Sequence, residues 1–259
     1  MTASGRSANA PRLFPARVVG ALAFLGSLAV SLGSTSGEAL AKNRYALEPP
    51  NVEEKRAFRY AAMTNQACLE ELDKRKFPYK LEAPTQQVDV PLRFSGPIHG
   101  VTYKLSARAE KDPDTSSLAA IADCRLALAI DDFSRVLAKY DVVEVEYLSM
   151  YRRRGLGFIK PGRRHPSGRA IDVATLKKKD GTKFSVYGDW HGRPGSKTCG
   201  EGSAKPTKDT DGAKLLRAVV CETAGLGSFN LMLTPHYDWG HRDHFHLEVR
   251  SDIRWFLIQ

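Results

Sequence analysis

The chain has 259 residues, 42% of them hydrophobic and 26% charged, with a formal net charge of +10. That length can bury a real core as one domain, or as one domain with an N-terminal arm. The basic residues are spread out, as in YRRRGLGFIKPGRR and LKKKDGTK, and are not interleaved with stacking aromatics, which argues against nucleic acid and for an anionic envelope surface as their partner.

In chain order, residues 1–41 read as an export signal. Arg6, Arg12 and Arg17 precede an apolar run from Val18 to Gly33, and Ala39-Leu40-Ala41 fits a small-x-small cleavage site. The run is broken by Gly and Ser and falls short of the ~20 apolar residues of a membrane span. No stable membrane anchor is expected after cleavage, and the mature chain is expected in the periplasm or secreted. Its net charge would be +8, since the signal carries three arginines and one glutamate.

Residues 42–62 are polar, broken by Pro49-Pro50, and read as an N-terminal arm; residues 63–259 form the domain, expected to be a monomer. Thr64 is placed to cap a helix reaching about Arg75, with Cys68, Leu69 and Leu72 on one face. Gln87–Phe94 and Ile98–Ser106 read as strands around a Gly96-Pro97 turn, and 112–117 as a loop. Leu126, Ile130, Phe133 and Leu137 recur at helical spacing within 123–140. Residues 141–149 alternate as a strand, and 168–175 read as another. A long Gly/Pro/Lys-rich loop covers 188–211. Asp211 then opens a helix bearing Leu215, Leu216, Val219 and Val220, and 229–234 and 243–249 read as the last two strands. The sum predicts an α+β fold, a mainly antiparallel sheet with flanking helices.

Four cysteines, Cys68, Cys124, Cys199 and Cys221, are an even number, which in an exported chain points to two disulfides with three possible pairings. No CxxC or CxH spacing occurs among them, which argues against a cysteine zinc site. Neighbourhood along the chain favours Cys68–Cys124 and Cys199–Cys221.

The histidines carry the chemistry. Four of seven lie between Thr234 and Val249, at positions 236, 241, 244 and 246, and neutral imidazole is the commonest protein metal ligand. In a strand through DHFHLEV, His244, His246 and Glu248 share one face while Phe245, Leu247 and Val249 share the other. In HPSGRAIDVA, Asp172 stands opposite Ile171 and Val173, and His165 precedes it across a Pro-Ser-Gly turn. A single histidine is more often merely packed or solvated; the signal here is two strands presenting polar groups in antiphase to apolar ones. One Asp and two His would make a three-ligand zinc site open at its fourth position. Glu248 reads either as an acceptor orienting an imidazole or as a solvated strand end. His191 and His236 read as loop or surface residues.

These motifs, H-P-S-G-R-A-I-D and then H-R-D-H-F-H-L-E, resemble the zinc peptidases that cleave bacterial cell-wall peptides. That group includes D-alanyl-D-alanine carboxypeptidases and penicillin-insensitive murein endopeptidases, with the signature H-x6-D followed by H-x-H. TPHYDWGHRDHFHLEV is similar to the C-terminal domain of bacterial extensin-like proteins, an offshoot of the group, and the likeness spans roughly residues 64–250. The resemblance implies Zn2+ on the sheet, held by His165, Asp172 and His246. It places His244 and His241 beside the metal, as base or as polarising groups. Arg152 falls where an arginine grips substrate carboxylate or carbonyl, although Arg153 and Arg154 are equally placed. Two departures lie at the expected cleft rim: Arg163 stands where the group often has Ser, and Tyr151 where extensin-like relatives often have Cys. The implied function is an exported zinc peptidase, carboxypeptidase or endopeptidase, acting on peptidoglycan stem or cross-bridge peptides. The alternative is a zinc-containing wall-binding module without turnover.

Overall fold

The computed structural model describes residues 45–47, 51–111, 118–153 and 164–259. The expected signal at 1–41, the 112–117 loop, Arg154 and Arg163 lie outside the described residues, as do 42–44 and 48–50 of the expected arm. The elements run β1 (Ala46–Leu47), α1 (Arg56–Ala62), α2 (Asn65–Lys74), β2 (Tyr79–Leu81), β3 (Pro91–Phe94), β4 (Thr102–Leu105), α3 (Ala107–Glu110), β5 (Ala122–Asp123) and α4 (Cys124–Lys139). They continue with β6 (Val142–Tyr147), β7 (Ala170–Lys178), β8 (Lys183–Ser185), α5 (Val186–Asp189), α6 (Asp211–Leu226), β9 (Leu231–Leu233), β10 (Phe245–Glu248) and β11 (Phe256–Ile258).

The main sheet has the order β1-β11-β9-β10-β7-β6-β4, with β8 beside β7. Its pairs are antiparallel except β11 with β9 and β4 with β6, which are parallel. The expected α+β class with a mainly antiparallel sheet is what the chain forms. A second, smaller sheet has the order β2-β3-β5.

Helix α4 is the centre of the core. Asp123 caps it by accepting from the Arg125 N–H, and Leu126, Ile130, Phe133 and Leu137 are all buried, as their spacing predicts. Burial reaches past that stripe to Asp131 and Asp132, because α1, α2 and α6 all pack on this helix as well. Those carboxylates are tolerated because each is hydrogen-bonded: Asp131 to His99 at 2.6 Å and Arg75 at 3.2 Å, Asp132 to Tyr60 and Ser228 at 2.6 Å each. Helix α6 starts on the Thr210 cap, stops at left-handed Gly227, and adds Leu216, Val219 and Val220 to the same core.

Several elements differ from the sequence-based reading. The strands expected at 87–94 and 98–106 shorten to β3 and β4 and enter different sheets, because the Ile98–Val101 turn separates them. A further strand, β11, follows the two read as last; three residues are too few to show an alternation. The expected arm is packed where it is described: β1 pairs with β11, the Ala57 N–H donates to the Gly227 carbonyl at 2.8 Å, and Phe58 meets Phe256 edge-on at 5.1 Å.

The disulfides are Cys68–Cys124, tying α2 to the start of α4, and Cys199–Cys221, tying the long loop to α6. Among the described residues no helix is long and apolar enough to cross a membrane.

Candidate metal centre

Strand register builds the centre. β7 and β10 are antiparallel neighbours with His246 opposite Asp172 and Leu247 opposite Ile171. Side chains alternate along each strand, so Ile171, Val173, Phe245 and Leu247 all enter the core while Asp172 and His246 rise together on the other face. A one-residue slip of β10 against β7 would turn His246 into the core and expose Phe245 and Leu247.

His165 arrives from a tight 3₁₀ turn, His165–Ser167, closed by the Gly168 N–H donating to the His165 carbonyl at 2.9 Å. Gly168 has φ +61°, and a Cβ there would stand 2.8 Å from the Asp123 nitrogen. Only glycine closes this turn without displacing the helix cap.

The three side chains meet at one oxygen. Asp172 Oδ1 lies 3.1 Å from His165 Nε2 and 2.9 Å from His246 Nδ1, and the three candidate ligand atoms are within 4.8 Å of one another. Asp172 Oδ2 accepts from the Arg152 guanidinium, whose Nε donates to Ser149 Oγ at 2.6 Å. The outer nitrogens of both imidazoles are also held: His165 Nδ1 lies 3.2 Å from the Met150 carbonyl, and His246 Nε2 lies 3.1 Å from Glu248 Oε2. Glu248 is fully buried, and its other oxygen accepts from the Arg164 N–H at 2.7 Å. It is therefore an acceptor that orients His246 rather than a solvated strand end.

Two more imidazoles flank the trio. His244 Nε2 is 3.5 Å from Asp172 Oδ1, and its Nδ1 is 2.9 Å from Asp243, which in turn accepts from Arg108 at 3.0 Å. His241 Nδ1 is 2.7 Å from Asp238, and its ring centre is 5.2 Å from that of His244. Burial holds His165 well below the ordinary imidazole range, and the charges of His246 and Arg152 push the same way. Burial also lowers His241 and His244, against the opposing pull of Asp238 and Asp243 respectively. Neutral imidazole is what both a metal ligand and a general base require.

Sequence reasoning missed the two aspartates, the Ser149 hydroxyl and the Met150 carbonyl. Asp238 and Asp243 were visible as D-x-x-H and D-H within the histidine-rich run; the others come from the bend after β6, which has no pattern of its own. Arg152 lies at the trio with its side chain half exposed, and Arg153 is exposed nearby. Tyr151 is buried, its hydroxyl donating to the Gln86 carbonyl at 3.4 Å. His236 is no surface residue either: it is fully buried in its loop, packed edge-on against Trp190 with Nδ1 3.2 Å from Thr198 Oγ1. His191 is half-buried in the long loop, its carbonyl accepting from the Thr207 N–H.

A cavity of about 670 Å³ opens over the trio, lined by His165, Asp172, His246, His241, His244 and Arg152 among others. Two imidazoles and one carboxylate, each steadied through its remaining polar atom, are a donor set that suits zinc with one position left open. Ligand atoms around a tetrahedral ion with ~2.0–2.2 Å bonds lie ~3.2–3.6 Å apart, so small rotations of these rings would admit it. The sequence profile of a family described as Extensin-like protein C-terminus matches residues 66–257. No curated protein and no solved structure matches the chain.

Proposed function

The chain belongs to the family of extensin-like protein C-termini, and from the centre it carries we propose an exported zinc-dependent peptidase acting on peptidoglycan stem or cross-bridge peptides. The observation that carries this is the convergence of His165, Asp172 and His246 beside two further neutral imidazoles. A structural metal site would have no use for the second pair. The relation to D-alanyl-D-alanine carboxypeptidases and murein endopeptidases rests on the H-x6-D and H-x-H spacing.

His165, Asp172 and His246 would hold the zinc, which when bound supplies a Lewis acid for the scissile carbonyl and a water of lowered pKa. The residues of the chain do the rest. Asp243 engages Nδ1 of His244, leaving Nε2 turned toward the trio to take a proton from water and pass it to the leaving amine. Asp238 prepares His241 in the same way, one step further out. Arg152 holds Asp172 through one guanidinium nitrogen, while its half-exposed side chain faces the cavity where a substrate carboxylate or carbonyl would lie. The signal-like N-terminus and two disulfides support an oxidising, extracytoplasmic setting.

Metal analysis of the purified chain, followed by digestion of muropeptides read by mass, tests the proposal. One zinc per chain and products differing by one hydrolysed peptide bond are expected. Full zinc occupancy with no cleavage wherever imidazole is neutral would leave a zinc-containing wall-binding module instead.

A further inference from the structure

A second cavity, of about 630 Å³, adjoins the one over the histidines, and the two share Arg152, Gly240 and His244 in their walls. Its apolar floor includes Leu118, Ala119 and Leu148, and its rim carries Arg108, Arg153 and Arg242. Asp243 is the one carboxylate among its described lining residues, and it is already engaged by Arg108 and His244. Arg153 is exposed and has no ion-pair partner among the described residues. Arginine-rich walls over an apolar floor suit a chain with carboxylates, since guanidinium matches a carboxylate in planar, two-point fashion.

Size bears on the mode of cutting. Removing one terminal residue needs only a small blind pocket beside the reacting bond. Here each of the two cavities lies within the ~300–1,000 Å³ of sites that enclose a drug-sized ligand. His244 stands at their seam, so among the described residues the reacting centre is flanked by a second cavity.

We propose that the second cavity is a subsite for an acidic stretch of the peptide substrate, its carboxylates received by Arg153 and Arg242, and that the centre cuts within a chain rather than trimming its last residue. This rests on the peptidase reading above and adds to it the charge of the substrate and the place of the cut.

The test uses the zinc-loaded full chain and synthetic peptides sharing one scissile bond. Glutamates are placed two residues before the bond in one peptide and two residues after it in another, each matched by a glutamine version. Binding is followed by calorimetry and cleavage by mass. One of the two glutamate positions should bind about ten- to a hundredfold tighter than its glutamine partner. Arg153→Gln and Arg242→Gln should erase that preference while zinc content stays unchanged. A peptide ending one residue past the bond should be cut more slowly than the extended one. Equal binding of glutamate and glutamine versions at both positions, or a preference that survives both substitutions, overturns the subsite. Binding of an acidic saccharide to these arginines, with no preference among the peptides, overturns the assignment to a peptide. A terminal-residue substrate cut as fast as the extended one overturns the internal cut. Cleavage without charge preference would sink the subsite and leave the peptidase standing; charge preference without any cleavage would do the reverse.

Discussion

Asp172 is the most heavily committed residue of the centre. Its buried carboxylate faces His165, His246 and His244 with one oxygen and Arg152 with the other, and a buried charge is tolerable only in such company. The surrounding histidines should therefore fail in different ways. His246→Ala is expected to lose zinc and activity together. His244→Ala should keep its zinc while turnover falls by ~10²–10⁴-fold, the usual share of general acid–base catalysis. Metal analysis beside muropeptide turnover separates the two, and complete zinc loss in His244→Ala would make it a ligand instead. Gly168 carries a different constraint, a positive φ with the Asp123 nitrogen 2.8 Å from where a Cβ would stand. Gly168→Ala should destabilise the fold by more than ~1 kcal/mol and disturb His165. An unchanged melting temperature would contradict the strain assigned to this turn.

At the scale of elements, the long loop of 188–211 is held at several points. Cys199 is bonded to Cys221 on α6, Trp190 is buried against Phe245 at 5.3 Å, and Gly195 N–H donates to the His236 carbonyl at 2.7 Å. Removing the Cys199–Cys221 bond should cost ~3 kcal/mol in the chain-entropy account, measurable as a lower denaturant midpoint of the double serine variant. Tight packing of His236 in this assembly has a pH signature. Burial, assisted by Arg217, lowers its pKa to about 4 from the ordinary 6.5. The unfolded chain therefore takes up a proton that the folded chain refuses between those values. This contribution to stability is complete above the unfolded value and declines as pH falls toward about 4. His236→Gln should lose stability at neutral pH, and its gap from the wild type should narrow on acidification. A gap constant across that window would count against the buried neutral imidazole.

For the whole molecule, one large apolar core joins both helices α4 and α6 to the sheet beneath the centre, so the fold does not hang on a metal. A chelator should remove the zinc's binding free energy from the stability and so lower the melting temperature, yet leave cooperative unfolding intact. Unfolding on chelation alone would show the opposite. This division between core and site also marks what could be read from the sequence. The α4 stripe and the two faces of β7 and β10 follow from periods of 3.6 and 2, and the Thr64 cap from a side chain beside its own helix, all properties of a few neighbouring residues. By themselves they determined that Asp172 and His246 oppose apolar partners, and chain neighbourhood was enough to pair the cysteines. Tertiary structure decided what local periodicity does not encode. Asp172 and His246 lie 74 residues apart, and only the pairing of β7 with β10 over a shared core sets them side by side. His236 and His241 belong to one short run, yet one is sealed against Trp190 and the other lies in the cleft wall. Strands as short as β1 and β11 have no alternation to read, and they exist because partner edges supply their hydrogen bonds.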